Sequence, residues 1–257
     1  VAFAISQVDT SKVYQVNTST GLIGTTAVST FNAGCYSAAF SPITLSGNLF
    51  LASTDNSPNA VHIYSVNTTI GALTEVSGSP YSLSTVGLSA SVSFSPLDAS
   101  GNLVLSVINF AGQGVTYVVD PSTGALSNQL SITGLNNPQS VTYSPYISST
   151  GEVFAAIANS GSNNIYTYSV NMTTGAFTNI TGSPFSIGTT DLPYSVSYSP
   201  LTSYGTMFLA SANYVFFGSG SVSNFNVQLN PVVTVTPNPA STCVGTGISL
   251  TATVTGG

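Results

Sequence analysis

The chain has almost no charged side chains. Of its 257 residues, Lys12 is the single basic one and seven are acidic, so that 3% of the chain is charged, whereas an ordinary soluble domain has about a quarter. Binding to nucleic acid or to an anionic membrane surface depends on clustered Lys and Arg side chains. The composition therefore excludes nucleic acid as a partner, and it disfavours phosphorylated substrates for the same reason.

Cysteines and long apolar runs are also scarce. Cys35 and Cys243 lie far apart in sequence and are compatible with one disulfide in an oxidising compartment or with two separate buried thiols. No run of about eighteen apolar residues occurs, so no membrane-spanning segment is expected. Hydroxyl and amide groups dominate the polar residues, and they tolerate acid because they do not titrate in the ordinary range. These features predict an extracellular protein of the cell surface.

Two sequence markers recur in one register. An aromatic-Ser-Pro step occurs at residues 40–42, 94–96, 143–145 and 198–200. A run of the Val-Tyr-x-Val type, followed by Asn or Asp and then by glycine, recurs about every 50 residues and ends at Gly21, Gly71, Gly124 and Gly175. Because Asn or Asp followed by Gly closes a tight turn, all four glycines are predicted to have left-handed backbone conformations.

Each repeat contains four short runs rich in Val, Ile, Tyr, Phe and Thr. Gly, Pro, Asn and Ser bound these runs, as expected for β-strands joined by turns. We call the strands of one repeat a, b, c and d; strand a ends at the aromatic-Ser-Pro step, and strand c ends before the Asn or Asp. Four strands in about 50 residues are typical of a propeller blade. The sequence therefore predicts an all-β propeller of about five four-stranded blades, in which the first repeat lacks strand a and the last lacks strand d.

The repeat resembles that of a known family. Val-x-x-Tyr-x-Val-Asn-x-Thr-Thr-Gly-Ala, with Gly-Ser-Pro-aromatic steps at residues 78–81 and 182–185, is similar to the repeat of lactonase-like, YVTN-type β-propellers. That family includes 6-phosphogluconolactonase-like enzymes and many prokaryotic, often archaeal, cell-surface and surface-layer proteins. The resemblance covers about residues 1–229 and implies the fold.

The end of the chain has a different character. Residues 230–257 resemble the first two strands of the Ig-like repeats of prokaryotic surface proteins, but that sandwich needs about 100 residues. We therefore divide the chain into a propeller, residues 1–229, and an Ig-like strand segment or inter-subunit tail, residues 230–257. The first tail strand, Val232 to Thr236, either folds back as the missing outer strand or pairs with a neighbouring subunit. Pairing with a neighbour is favoured, because the second tail strand, residues 248–255, otherwise has no partner.

Groups that could support catalysis or metal binding are few. His62, the single histidine, lies in strand c without a counterpart in the other repeats and is interpreted as an incidental strand residue. The seven carboxylates are dispersed along the chain. A calcium site that combines Asp55, Asp98 or Asp191 with backbone carbonyls is the one metal alternative. We predict no catalytic residue, no metal and no cofactor.

Four Asn-x-Ser/Thr motifs are candidate sites of N-glycosylation. They begin at Asn17, Asn67, Asn171 and Asn179. Three of them occupy the same turn between strands c and d. Asn and Thr favour this turn even without glycosylation, and Asp120 takes the same position in the third repeat without forming a glycosylation motif. Because such turns lie exposed on an extracellular chain, glycosylation of at least one of these asparagines is predicted.

Together these observations favour a non-enzymatic structural protein. It would be a subunit of a surface layer or extracellular filament that assembles with copies of itself through strand and propeller contacts, with cell-surface glycans as further partners. Two alternatives stay open. The chain could be a lactonase-like propeller enzyme, or an adhesive or carbohydrate-binding propeller that uses Tyr and Asn side chains of its loops.

Overall fold

The computed structural model describes residues 2–6, 11–31, 35–56, 59–83, 88–147, 151–188, 191–203, 206–215, 220–227, 232–236 and 251–255. Within these ranges the chain is built from β-strands, and its one helical segment is a single 3₁₀ turn, Ser160–Ser162. No helix in the described ranges is long and apolar enough to cross a membrane. The strands are β1 Ala2–Ser6, β2 Ser11–Val16, β3 Ile23–Phe31, β4 Cys35–Phe40, β5 Phe50–Asn56, β6 Asn59–Val66, β7 Leu73–Glu75, β8 Tyr81–Ser82, β9 Ser89–Phe94, β10 Leu103–Asn109, β11 Gly114–Val119, β12 Leu126–Ile132, β13 Pro138–Tyr143, β14 Phe154–Asn159, β15 Asn164–Val170, β16 Phe177–Asn179, β17 Phe185–Ser186, β18 Leu192–Tyr198, β19 Met207–Tyr214, β20 Ser221–Val227, β21 Val232–Thr236 and β22 Thr251–Thr255.

The strands form consecutive antiparallel sheets in chain order. The first sheet is β1-β2-β3, and the second is β4-β5-β6-β7 with β8 also paired to β6. The third is β9-β10-β11-β12, and the fourth is β13-β14-β15-β16 with β17 also paired to β15. The fifth is β18-β19-β20, and a sixth, two-stranded sheet consists of β21 and β22. In the second to fifth sheets, the strands follow one another in the order a, b, c predicted from the repeat.

Neighbouring sheets pack side by side, with the a strands adjacent. β4 contacts β9, β9 contacts β13 and β13 contacts β18. The strands b of the third and fourth sheets, β10 and β14, are buried along their whole length, because each lies between two other sheets. The all-β fold predicted from the repeat is confirmed, with successive sheets packed side by side in a propeller-type arrangement.

Serine side chains in the a strands join one sheet to the next. The Ser37 hydroxyl accepts a hydrogen bond from the backbone N–H of Val92 at 3.1 Å, and Ser91 accepts one from Val141 at 3.4 Å. Ser37 and Ser91 hold the same position in their repeats, three residues before the aromatic residue of the aromatic-Ser-Pro step. A small hydroxyl at this place lets two strands approach and also satisfies a backbone donor.

The serine of the aromatic-Ser-Pro step has a role that the sequence did not reveal. Its hydroxyl accepts a hydrogen bond from the first part of strand b and donates one to the carbonyl of the following proline. In the third sheet, Ser95 accepts from Val104 at 3.0 Å and donates to Pro96 at 2.8 Å. Ser41, Ser144 and Ser199 make the same pair of bonds. We call this pair of hydrogen bonds the serine clasp. Strand a therefore ends at a serine clasp, and not merely at a proline.

Removing this clasp should cost most where it is buried. Ser95 is 1% exposed, so Ser95→Ala leaves the buried Val104 N–H without a partner and should lower the free energy of unfolding by about 1–3 kcal/mol. Ser199 makes the same bonds in a partly exposed setting, where water replaces the hydroxyl and Ser199→Ala should cost less than about 1 kcal/mol. Urea unfolding of both variants measures the difference. Equal losses would show that the hydroxyl is not the source of the stabilisation.

The two tail strands pair with each other. β21 and β22 are antiparallel, in a register that runs from Val232 opposite Thr255 to Thr236 opposite Thr251. The assumption that the second tail strand has no partner within its own chain is therefore wrong, and with it the reason for preferring a neighbouring subunit.

Candidate functional site

The four repeated turns share one geometry. Gly21, Gly71, Gly124 and Gly175 have φ angles of +73°, +75°, +79° and +75°. In each turn the side-chain oxygen of the preceding Asn or Asp accepts two backbone N–H groups; for example, Asn17 Oδ1 accepts from Ser19 at 2.9 Å and Thr20 at 3.1 Å. Asn67, Asp120 and Asn171 do the same. At Asp120 the backbone N–H of Ser122 is the main cause of a lowered carboxyl pKa.

The predicted glycosylation sites are exposed. Asn17, Asn67 and Asn171 lie at the start of three of these turns, and Asn179 is the last residue of β16. Glycosylation itself stays a prediction.

Of the two cysteines, Cys35 is buried and its thiol donates to the carbonyl of Ser37 at 3.3 Å. Cys243 lies outside the described residues, and the disulfide also stays a prediction.

His62 lies between two carboxylates. Its Nδ1 is 2.8 Å from Glu75 Oε1, and its Nε2 is 3.9 Å from Asp55 Oδ2. The His62 and Asp55 side chains are 13% and 12% exposed, while Glu75 is 40% exposed. Nε2 is buried and has no hydrogen-bond partner among the described residues. We call His62, Asp55 and Glu75 the histidine cluster.

Strand register assembles the histidine cluster from three strands. Asp55 of β5 is opposite Ala60 of β6, and Glu75 of β7 is opposite Tyr64 of β6. Ala60 and Tyr64 lie two residues before and two residues after His62, so both carboxylates are diagonal neighbours of His62 on one face of the sheet. The sequence interpretation treated His62 as incidental and the carboxylates as dispersed, whereas the structure brings two of the seven together at the imidazole.

The surroundings of the cluster fix its geometry. The His62 ring stacks on Tyr64 at 6.1 Å, and Tyr64 packs against Phe31 of the first sheet at 5.9 Å, so the cluster lies on the face of the second sheet that packs against the first. The Ser79 hydroxyl donates to Glu75 Oε1 at 2.8 Å and accepts from the Ile63 N–H at 3.0 Å. Glu75 Oε1 therefore accepts hydrogen bonds from both Ser79 and His62, and Ser79 helps to fix its position.

A comparison between repeats shows which features of the histidine cluster occur elsewhere in the chain and which occur only in the second sheet. Tyr166 takes the position of His62 in the fourth sheet, stacks on Tyr168 at 5.9 Å and donates to the carbonyl of Gly134 at 3.1 Å. Asn109 takes the position of Asp55 in the third sheet and accepts the Gln113 N–H at 2.9 Å. Stacking and turn capping are thus common to the repeats, and the imidazole between carboxylates is peculiar to the second sheet.

The residues considered for calcium do not converge. Asp55 belongs to the second sheet, Asp98 accepts backbone N–H groups of its own turn, and Asp191 accepts the Ser221 hydroxyl beside the fifth sheet. Within the described ranges, no group of three His, Cys, Asp or Glu side chains is arranged to hold a metal ion. The calcium alternative therefore has no support from their placement.

The fourth and fifth sheets enclose a groove of about 850 Å³. Its walls combine apolar side chains with amides and hydroxyls, and Glu152 is its one ionisable carboxylate. Burial raises the pKa of Tyr198, which lines the groove, well above its usual range. The groove has no imidazole and lies three sheets away from the histidine cluster.

Comparison with known proteins identifies similar folds. No protein family and no curated protein matches the sequence. Among solved structures, the chain is similar to a candidate 6-phosphogluconolactonase of Bacteroides uniformis, with a TM-score of 0.54, 14% identity, and coverage of 92% of this chain and 71% of that one. A Lactobacillus plantarum protein gives a TM-score of 0.55 at 15% identity, over 88% of this chain and 67% of that one. The periplasmic gluconolactonase of Pseudomonas aeruginosa gives 0.50 at 21% identity, over 71% of this chain and 52% of that one.

These findings support a lactonase-like fold and correct the functional prediction. Several of the similar structures are named lactonases, which contradicts the prediction of a non-enzymatic structural protein and favours the enzyme alternative. The physical reason for the error is that a surface poor in charge describes the environment that a protein tolerates. It does not describe the chemistry of a small cluster such as His62, Asp55 and Glu75.

Proposed function

We propose that the chain hydrolyses uncharged sugar lactones, with His62 as the general base. One observation carries the proposal: the imidazole is held through Nδ1 by the Glu75 carboxylate, while Nε2 has no hydrogen-bond partner among the described residues. A histidine oriented by a carboxylate through one nitrogen, with its other nitrogen not bonded to a protein group, is the usual arrangement of a catalytic base. The reaction class comes from the names of the similar structures.

Glu75 and Asp55 have different roles in this proposal. Glu75 accepts the Nδ1–H of His62, so the lone pair lies on Nε2. The 3.9 Å between Nε2 and Asp55 Oδ2 is too long for a direct hydrogen bond, and a separation of this size suits one bridging water. That water would donate one hydrogen to His62 and the other to Asp55. Glu75 is a positioning residue, because it acts through the imidazole.

Hydrolysis then proceeds as general-base catalysis. His62 Nε2 takes a proton from the water while the water oxygen attacks the lactone carbonyl carbon, and the carbonyl oxygen becomes an oxyanion. When the carbonyl re-forms, the bond between this carbon and the ring oxygen breaks. The imidazolium returns its proton to that ring oxygen, and the product is the open-chain hydroxy acid. Because Nε2 is buried, this step requires a local movement that lets water and lactone reach it.

The scarcity of basic side chains indicates which kind of lactone suits the chain. Lys12 is the only basic side chain apart from the histidine, and phosphate binding normally uses Arg or Lys donors. An unphosphorylated lactone therefore suits this chain better than a phosphorylated one. The chain spans between about half and seven tenths of the length of the similar structures.

Further features belong to the same proposal. The five consecutive sheets support about five blades. An extracellular location agrees with the sparse charge, and one similar structure is named as periplasmic. Glycosylation at the exposed turns and recognition of cell-surface glycans are consistent with this location.

A substrate comparison tests the proposal. Glucono-δ-lactone and its 6-phosphate ester should be followed by proton release in weak buffer, each corrected for spontaneous hydrolysis. The uncharged lactone should be opened faster than the spontaneous rate, and kcat/KM should be at least ten-fold lower for the phosphate ester. Protein that leaves both spontaneous rates unchanged would disprove lactonase activity. Faster opening of the phosphate ester would disprove the argument from charge.

A further inference from the structure

The groove between the fourth and fifth sheets has the features of an unfilled strand position. Phe185 of the fourth sheet and Phe225 of the fifth lie 6.4 Å apart across it, and Phe185 is 36% exposed. Thr167, also in its wall, is 7% exposed, and its hydroxyl has no hydrogen-bond partner among the described residues. A chain segment bound in the groove would give this hydroxyl a partner.

The junction between the second and third sheets shows what fills the equivalent space. Tyr81 and Tyr117 hold the repeat positions of Phe185 and Phe225, and their rings are 6.5 Å apart. There Leu126, the first residue of the outer strand β12, donates its N–H to the Tyr81 hydroxyl at 3.0 Å and packs on the same core cluster. Tyr117 is only 4% exposed, and burial raises its pKa to about 12. An outer strand therefore closes this junction.

Two strand edges in the last part of the chain are candidates for pairing. β20 is paired with β19, and β21 is paired with β22. Each of these strands has a second edge, and the described residues supply no partner for it. Four residues, 228–231, separate the two strands, which is a length suited to a β-hairpin. Unpaired edges this close in sequence tend to pair with each other.

Sequence spacing places β21 at the outer-strand position. In the first four sheets, the last valine of strand c is opposite the first residue of the outer strand, and the two are always seven residues apart. These pairs are Val16 with Ile23, Val66 with Leu73, Val119 with Leu126 and Val170 with Phe177. The same step from Val227 leads to Thr234, which lies within β21.

We propose that β21 docks along the free edge of β20 and closes the groove, so that the fifth sheet continues through β21 to β22. The groove is therefore a binding site for an extended strand, and its occupant is the segment Val232–Thr236 of the same chain. This inference is independent of the proposed lactonase activity, because the histidine cluster lies between the first and second sheets. A neutral sugar bound in the groove is the competing interpretation, since amides and aromatic rings also line it.

Amide hydrogen exchange in the full chain tests the proposal, read residue by residue by NMR. Along β20, alternate N–H groups face β19 and the outer edge. If β21 is docked, the outward N–H groups should exchange at least 100-fold more slowly than in an unstructured peptide. A synthetic peptide with the sequence of residues 221–227 is the reference for rapid exchange, and the N–H groups that face β19 are the reference for protection. Exchange along the outer edge of β20 as rapid as in this peptide would overturn the proposal.

A paired substitution identifies the occupant. Because consecutive N–H groups point to opposite edges of a strand, the double variant Thr234→Pro, Val235→Pro removes one donor from each edge of the part of β21 that this register pairs with β20. Exchange along the outer edge of β20 should then become rapid, while the N–H groups that face β19 stay protected. Unchanged protection would show that another segment fills the groove. Displacement of the Phe225 NMR signals of the unmodified chain by cellotriose would instead favour the sugar and overturn the proposal.

Discussion

Replacing His62 with glutamine is expected to lower the rate of lactone hydrolysis by about 10²–10⁴-fold, the usual contribution of a general base. Glutamine keeps a polar group of similar length but has no basic nitrogen at neutral pH. The loss should appear in kcat, because the imidazole removes a proton during the reaction and is not required to bind the lactone. Initial rates with glucono-δ-lactone, measured over a range of substrate concentrations, separate kcat from KM.

Tyr166→Gln is the matched control for His62→Gln. Tyr166 holds the equivalent position in the fourth sheet and stacks on Tyr168 as His62 stacks on Tyr64. Both substitutions remove a stacked ring from the same place in the repeat, but only one removes a base. Tyr166→Gln should leave hydrolysis unchanged. If the two variants lose activity equally, or if His62→Gln is fully active, His62 is not the base.

Glu75 can be examined in the same assay as a positioning residue. The Glu75→Gln amide can still accept the Nδ1–H but no longer offers a full negative charge to an imidazolium. The cost should therefore fall on kcat, with KM unchanged, and it should be smaller than the cost of losing His62. Ser79 donates to Glu75 Oε1. It therefore helps to orient the imidazole indirectly, through Glu75.

The sequence predicted local structure well where each repeat contains residues that mark its turns and the ends of its strands. The Asn or Asp before Gly21 and Gly71 indicated the turn, and the structure has its side-chain oxygen bonded to the turn backbone. The aromatic-Ser-Pro step marked the end of strand a correctly. The clasp made by Ser95 was missed because its partner, Val104, lies nine residues away and is identified only by the register of the sheet.

The histidine cluster was missed for a related reason. Asp55, His62 and Glu75 look dispersed in sequence, since no short motif contains all three. They become neighbours only when β5, β6 and β7 are aligned as two successive hairpins. The signal was available in principle, because strands b, c and d were predicted to follow one another through turns, and diagonal pairs on one face follow once their register is known. The interpretation of these carboxylates as dispersed was wrong because it did not use this alignment.

The four equivalent turn glycines are expected to differ sharply in what a methyl group costs. A Cβ at Gly124 would lie 2.6 and 2.7 Å from two ring carbons of Phe50 and 3.1 Å from Val76. Phe50 is 1% exposed and cannot move aside in a close-packed core. Gly124→Ala should therefore cost about 1–2 kcal/mol for its left-handed backbone and about 1–3 kcal/mol more for overpacking.

Gly21→Ala is the matched control, because it changes the backbone preference alone. Gly21 has nearly the same φ angle as Gly124, +73° against +79°, but nothing lies within 4 Å of its Cβ position. It should lose only the backbone contribution, so that the two variants differ by about 1–3 kcal/mol in the free energy of unfolding. Urea unfolding with a shared m-value measures this difference. Because Phe50 belongs to the second sheet and Gly124 to the third, equal losses would mean that these two sheets do not pack as closely as the structure has them.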